Sequence, residues 1–273
     1  MRIEDFKFAA ELANTLNWNM AIEDFQFAVS LEPHGCFVAF EGSERVGIAT
    51  CINYGRVGWF GNLIVNEKCR RQGVGSLLVK HAINYLQCKG VKAVGLYAYQ
   101  NLLSFYSKLG FKFERGYCVL QAERLGSISA DNCPNVGRDQ ICKVEEFDCR
   151  CFGGDRRRLL ESIILESDNL SYYKLANNEF VGYIAATVYE KMAWVGPLLC
   201  KTGNSNAAVS LLKAILSKLT GKSVYIAIPK DESVLSNLLF ESGFVEDFAV
   251  SSMFFGEVVT KNCIYVAESL ERG

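Results

Sequence analysis

Seven consecutive residues carry the chemistry that is easiest to read, Arg70-Arg71-Gln72-Gly73-Val74-Gly75-Ser76. They separate an apolar, strand-like run, Trp59-Phe60-Gly61-Asn62-Leu63-Ile64-Val65, from a helix-like run, Leu77 to Lys89. In the second run Leu78, Ala82, Ile83 and Leu86 recur at the helical period. Ser76 suits a cap or a first-turn position, and Gly90 suits a stop. The free N–H groups at a helix start, with the helix dipole behind them, favour a bound anion. Glycines at 73 and 75 let that anion reach the backbone, and Arg70 and Arg71 add donors matched to phosphate. The expectation is a seat for a diphosphate. A P-loop does not fit, because no Lys-Ser or Lys-Thr follows the last glycine; near Gly221-Lys222-Ser223 the first glycine of that motif is replaced by Leu216. A dinucleotide fingerprint fails because position 78 is Leu.

The pattern present is Arg70-x-x-Gly73-x-Gly75. It is followed by Asn101-Leu102-Leu103-Ser104-Phe105-Tyr106-Ser107-Lys108-Leu109-Gly110-Phe111. Together these strongly resemble the GNAT superfamily of acetyl-CoA-dependent N-acetyltransferases. The resemblance implies acetyl-CoA as cofactor, with Arg70, Arg71, Gln72, Gly73, Val74, Gly75 and Ser76 forming its diphosphate loop. It implies that pantetheine pairs with the backbone of Leu63, Ile64 and Val65 like an added strand, and that Asn101 touches the cofactor. Backbone N–H groups on that strand would polarise the thioester carbonyl. Tyr106 stands where the family often has a tyrosine. A phenol with a pKa of about 10 can protonate a departing thiolate, which makes Tyr106 the candidate catalytic acid. The competing reading is that Phe105-Tyr106 simply packs a helix against the core.

No general base is legible. The strand offers only Asn62 as a polar side chain; Glu67 lies just beyond it, and Tyr97 and Tyr99 sit on the next strand. A water chain held by Asn62 and a tyrosine is one possibility. His34, after Pro33, reads as a solvent-facing loop residue, and His81, beside Lys80, as exposed on its helix. Trp18, Asn19 and Asp24 lie in the break between the first two helices, where relatives build the acceptor pocket; capping and core packing explain them nearly as well.

The elements that must hold these residues follow from the rest of the chain. Half of the 273 residues are apolar and 22% are charged, which suits a soluble globular protein with ample core. A net charge of −1 gives no electrostatic case for nucleic acid or an anionic membrane. No apolar run approaches the ~18 residues of a membrane span, and Met1-Arg2-Ile3-Glu4-Asp5-Phe6 lacks a secretory apolar region. The eleven cysteines, an odd number scattered over strands, helices and loops, suit reduced thiols in the cytoplasm. Cys133, Cys142, Cys149 and Cys151 lack zinc-site spacing, so no metal is expected.

In chain order, residues 1–35 read as two helices broken at Leu16-Asn17-Trp18-Asn19-Met20. A hairpin turns at Glu41-Gly42-Ser43-Glu44, then come the central strand–loop–helix, a strand from Val91 to Tyr99 and a short helix from Leu102 to Leu109. This order too is that of the GNAT fold.

A decayed repeat follows. Glu44-Arg45-Val46-Gly47 is echoed by Glu179-Phe180-Val181-Gly182, and Trp59-Phe60-Gly61-Asn62-Leu63 by Trp194-Val195-Gly196-Pro197-Leu198. Leu109-Gly110-Phe111 is echoed by Ser242-Gly243-Phe244. The loop is lost in the second copy, which reads Lys201-Thr202-Gly203-Asn204-Ser205-Asn206-Ala207, and Leu239 replaces Tyr106. Phe152-Gly153-Gly154-Asp155-Arg156-Arg157-Arg158-Leu159-Leu160, Val195-Gly196-Pro197-Leu198 and Met253-Phe254-Phe255-Gly256 resemble a C-terminal GNAT-like domain of tandem acetyltransferases.

The expected fold is therefore α/β (α+β), two GNAT-like domains, each a mixed, mostly antiparallel sheet flanked by helices. Residues 1–126 form the catalytic domain, 127–146 a linker, and 147–273 a degenerate domain packing on the first. The expected activity is acetyl transfer from acetyl-CoA to a small-molecule amine by direct attack in a ternary complex. The alternatives are a CoA-binding regulatory or scaffolding protein, or acetylation of protein N-termini or lysines.

Overall fold

The computed structural model of the chain describes residues 1–257, 259 and 263–273. The first half runs α1 (Phe6–Asn14), α2 (Ile22–Leu31), β1 (Cys36–Glu41), β2 (Glu44–Tyr54), β3 (Val57–Val65), α3 (Val74–Cys88), β4 (Ala93–Tyr99), α4 (Leu103–Lys108) and β5 (Lys112–Ala122). The second half repeats that order: α5 (Ile141–Phe152), α6 (Arg157–Ile164), β6 (Leu170–Ala176), β7 (Glu179–Val188), β8 (Met192–Lys201), α7 (Ser205–Leu216), β9 (Ser223–Pro229), α8 (Ser233–Glu241) and β10 (Val245–Gly256). One strand, β11 (Cys263–Val266), has no counterpart in the first half.

The two copies are woven into one sheet. Its order is β1-β2-β3-β4-β10-β5-β9-β8-β7-β6, with β11 on β8. Each copy's last strand lies in the other's territory: β10 pairs with β4, and β5 pairs with β9. Where the exchanged strands meet, Tyr117 faces Val250, Gly116 faces Ser251 and Cys118 faces Ala249. Tyr117 and Val250 are counterparts at the same 133-residue offset that relates Gly110 to Gly243, and the flanking pairs exchange under it, Gly116 with Ala249 and Cys118 with Ser251, so the repeat's pseudo-twofold axis passes between Tyr117 and Val250. The second half does not merely pack on the first; it completes the first half's sheet.

The sheet is covered on both faces. Helices α3 and α4 bury Leu78, Val79, Leu86 and Tyr106 with Phe60, Leu96 and Phe111, while α7 and α8 do the same for the second copy through Leu211, Ile215 and Leu239. The opposite face packs Trp59, Tyr117, Val250 and Phe254 against α5, α6 and residues of the segment after β11. Helices α1 and α2 close the outer part of that face over Ile48 and Ile64.

The sheet also curls. The backbone of Ala267 lies against Gly196 on β8, and that of Glu271 lies against Gly61 on β3. Four residues span at most about 14 Å, whereas five strand spacings in a flat sheet span about 24 Å. The curl brings β3 and β8 to the two sides of one connecting segment. No helix among the described residues is long and apolar enough to cross a membrane.

Candidate active site

Strand β3 creates the site by leaving its neighbour. It pairs in parallel with β4 only through Val57–Ala93, Gly58–Val94 and Trp59–Gly95. Beyond Gly61 the two strands diverge, and among the described residues no strand pairs with residues 62–65 on the β4 side. At the last pair the Trp59 ring packs directly on Gly95, where a side chain would collide with it.

A bulge sets which side chains face which way. Asn62 takes a left-handed φ of 50°, and the β2–β3 register slips between Ile48–Ile64 and Thr50–Gly61. An extra residue switches the side-chain alternation. Phe60, Leu63 and Val65 therefore join the α3 cluster, while Ile64 turns to α1 and α2. Asn62 itself is buried and donates to Thr50 Oγ1 at 3.2 Å.

The loop after β3 presents free backbone donors at the start of α3. A single helical turn at Glu67–Cys69 leads into it. Arg71 adopts φ 63°, and Gly73, at φ 92°, is the N-cap of α3. Ser76 is thus a first-turn residue and not the cap. The first intrahelical bond runs from Leu77 N–H to Gly73 O, leaving the N–H groups of Val74, Gly75 and Ser76 free for a ligand. Gly75 sits between Phe105 and Val65, which joins loop, strand and α4 in one place. Arg70 donates through Nε to Val65 O at 3.0 Å, which orients its remaining donors. Gln72 donates to Lys68 O at 2.9 Å and so braces the loop from within. Asn101 is exposed between β4 and α4.

Tyr106 lies on the same face, 5% exposed, with its ring 5.0 Å from Phe105 and 5.7 Å from Phe111. Burial pushes its phenol well above the usual range, so it stays protonated. Tyr106 packs in the core beside Phe105, whose ring lies against Gly75 of the loop.

The other face of the splay is lined by groups that spacing did not reveal. The segment 267–273 crosses β3, with the Trp59 indole N–H donating to Leu270 O at 3.2 Å and Tyr54 Oη to Arg272 O at 3.0 Å. Arg272 is held by Glu268 through bonds of 2.9 and 3.0 Å and lies 2.7 Å from a Glu271 oxygen. Its guanidinium stands over Phe27 of α2. Burial, opposed by Arg272 and reinforced by Glu268, holds the Glu271 carboxyl above the usual range. Tyr99 packs on Phe248 at 5.4 Å and is raised by burial, with Trp18 lowering it through a side-chain hydrogen bond. Tyr189, from the β7–β8 turn, shares the field of Arg272, Asp24 and Glu271. Trp18 and Arg272 among them are 254 positions apart in sequence. The only hint was the charged cluster Glu268, Glu271, Arg272 directly after the apolar run 263–267.

The second copy has the same splay with a different outcome. β8 and β9 pair in parallel from Met192–Ser223 to Val195–Ile226, and a register slip beside Gly196 matches the bulge at Asn62. Here β11 fills the opening, pairing Cys263–Lys201 through Val266–Leu198, and Ala267 N–H continues to Ala227 O at 3.3 Å. His34 and His81 are exposed, His81 against Phe37. Two surface clefts of about 500 and 410 Å³, around Asn135, Tyr172 and Lys218, lie in the second half, apart from the residues of the splay.

Comparison with known proteins agrees with this geometry. Residues 5–111 match the model described as the acetyltransferase (GNAT) family, and 144–264 match one described as an acetyltransferase (GNAT) domain. The chain is 24% identical over 224 residues to the uncharacterized N-acetyltransferase YitH of Bacillus subtilis, covering 79% of this chain and 78% of that protein. A crystal structure of a putative acetyltransferase from Pyrococcus horikoshii superposes with a TM-score of 0.79 at 20% identity, over 100% of this chain and 94% of that one. A tandem GNAT protein from the clavulanic acid biosynthesis pathway superposes with a TM-score of 0.63 at 14% identity, over 95% and 96%.

Proposed function

From the premise that the chain is a tandem member of the GNAT acetyltransferase family, we propose that it moves the acetyl group of acetyl-CoA to the amine of a small molecule, the amine attacking directly while both substrates are bound. The observation that carries this is the contrast between the two splays. Among the described residues no strand pairs with β3 at 62–65 on the β4 side, and Val65 O accepts from Arg70 Nε, whereas the matching edge of β8 is taken by β11. An internal strand in one opening is a model for what the other accepts, a strand-like chain held by backbone hydrogen bonds.

The residues present fit the donor. Val74, Gly75 and Ser76 offer free N–H groups, Arg70 and Arg71 supply charge, and Leu63, Ile64 and Val65 offer the edge for pantetheine. Acetyl-CoA, when bound, supplies an activated thioester. Backbone N–H groups after the bulge stabilise the oxyanion, and Tyr106 gives the leaving thiolate its proton. Direct attack is supported by the thiols. Cys51 is buried and pushed up by that burial, and both histidines are on the surface, so no activated Cys–His pair borders the splay. A small acceptor is favoured because segment 267–273, Trp18 and the Tyr189 turn crowd the acceptor side. The odd count of eleven cysteines suits a cytoplasmic setting.

Melting the protein with acetyl-CoA, CoA or ATP tests the reading first. A ligand at ~100 times its Kd adds about 2.7 kcal/mol. Both CoA species are expected to raise the melting temperature, and ATP is not. Thiol release is then measured against small amines and against peptides with a free N-terminus or lysine. Release with peptides alone would reassign the acceptor, and CoA binding without release would make the chain a CoA-binding regulator.

A further inference from the structure

We infer that Glu271 is the general base of the reaction, taking the proton of the acceptor ammonium on the face of the splay opposite Tyr106. This rests on the acetyltransferase reading above and supplies the group that β3 lacks.

The geometry makes the case. The last β3–β4 pair is Trp59–Gly95, and Gly61 is two residues beyond it, at the apex of the opening. A Cβ at Gly61 would lie 2.7–2.9 Å from Glu271 O, Cα and Cβ. The missing side chain of β3 is thus replaced, at that spot, by the residue stacked on it. The loop and Tyr106 lie with α3 and α4 on one face. Glu271 lies on the other, beside Trp59 and α2. An amine attacking from the Glu271 face leaves the thiolate within the α3–α4 face. The Glu271 side chain is 27% accessible, so an ammonium can reach it.

The charges around Glu271 suit the task. Arg272 engages one of its oxygens but already donates two hydrogen bonds to Glu268. From other elements, Asp24 of α2 and Tyr189 of the β7–β8 turn face the same cluster. Two glutamates share one arginine, which leaves net negative charge for an ammonium. Burial and Glu268 keep the Glu271 carboxyl more basic than an ordinary glutamate.

The step balances as follows. The Glu271 carboxylate takes one proton from the alkylammonium. The free amine nitrogen forms a bond to the thioester carbon, and the C–S bond breaks. Tyr106 protonates the thiolate; the nitrogen loses its second proton to solvent as the amide forms, and solvent reprotonates the Tyr106 phenolate. The proton left on Glu271 is the net one released to solvent.

The test uses the full chain, Glu271→Gln and Glu271→Asp, with acetyl-CoA and two probe amines. n-Butylamine is an ammonium at pH 7.5, whereas hydroxylamine is already neutral. Glu271→Gln is expected to lose about 10²-fold or more of thiol release with butylamine, with the loss shrinking toward pH 10, and to lose much less with hydroxylamine. Glu271→Asp should recover part of the rate. Independently of turnover, ¹³C-carboxyl NMR of ligand-free protein should show a glutamate titrating above the usual ~4.3 that is missing from Glu271→Gln, while Glu145, also held high by burial, stays in both. Equal losses with both amines, or an ordinary titration, overturn the assignment and leave Glu271 a structural residue. Wild-type protein that releases thiol with neither amine overturns the acetyltransferase reading, and the proposal with it.

Discussion

Asp148 and Arg156 face one another wholly out of contact with solvent, joined by two hydrogen bonds of 3.1 and 2.6 Å. The same guanidinium reaches Tyr265 Oη and the Gly273 backbone oxygen and lies 4.1 Å over the Phe152 ring, while Tyr183 Oη donates to Asp148. One pair thus ties α5 to β7, β11 and the segment that crosses Gly61. Replacing a single partner strands a buried charge, at a cost of about 3–5 kcal/mol. Asp148→Asn is expected to lose that much in urea unfolding. The double variant Asp148→Leu with Arg156→Met should lose less than the two single losses together.

At the loop, Gly73→Val is expected to weaken CoA at least about tenfold by calorimetry. A left-handed φ of 92° costs a side-chain-bearing residue about 1–2 kcal/mol. The loop relieves that strain by moving the N–H groups of 74–76 off the diphosphate. Unaltered CoA affinity would remove the loop from the donor site.

Tyr106→Phe separates the two readings of that residue. As the acid, it should lower kcat by about 10²-fold or more with little change in the KM for acetyl-CoA. Burial keeps the phenol protonated across the neutral range, so the wild-type rate should show no basic limb from Tyr106 below pH 9. A kcat unchanged in the variant would return Tyr106 to the core.

Because β11 occupies the second splay, titration calorimetry should find one CoA per chain. Two would mean that β11 leaves β8 to admit ligand.

Acid should reveal the clasp between Asp5 and Arg45. Burial raises the Asp5 carboxyl, but the 2.7 Å bond from Arg45 Nε and the Arg2 N–H outweigh it and hold it below the usual range. A lowered folded-state value means the stabilisation is complete above the unfolded value of ~3.9 and disappears as pH falls through the folded one. Asp5→Asn should therefore be about 1–2 kcal/mol less stable than wild type at pH 7, with the gap closing below pH 4. A gap independent of pH would place the effect in packing.

Much of the molecule was readable before any coordinates. The breaks at 16–20 and 41–44, the strand–loop–helix and the short helix before Gly110 all appear where local pattern placed them. The echoes of Trp59 at Trp194 and of Gly110 at Gly243 correspond to β3 with β8 and to α4 with α8. Each of these is a local signal: apolar period, a glycine at positive φ, a capping position. The loop was legible for the same reason, since its donors are consecutive.

What tertiary structure alone decided are the contacts between distant residues. No period in Lys112–Ala122 says that it will lie beside β9 and not β4, because either partner satisfies the same backbone groups. The β3 edge at 62–65 and the filled edge on β8 have matching strands; only the path of residues 263–267 distinguishes them. Gly61 shows the limit most plainly. The sequence by itself determined a strand with no carboxylate and a glycine at its centre. Only the curl of the shared sheet, by carrying a segment 210 residues downstream onto that glycine, decided that Glu271 is the residue stacked against it.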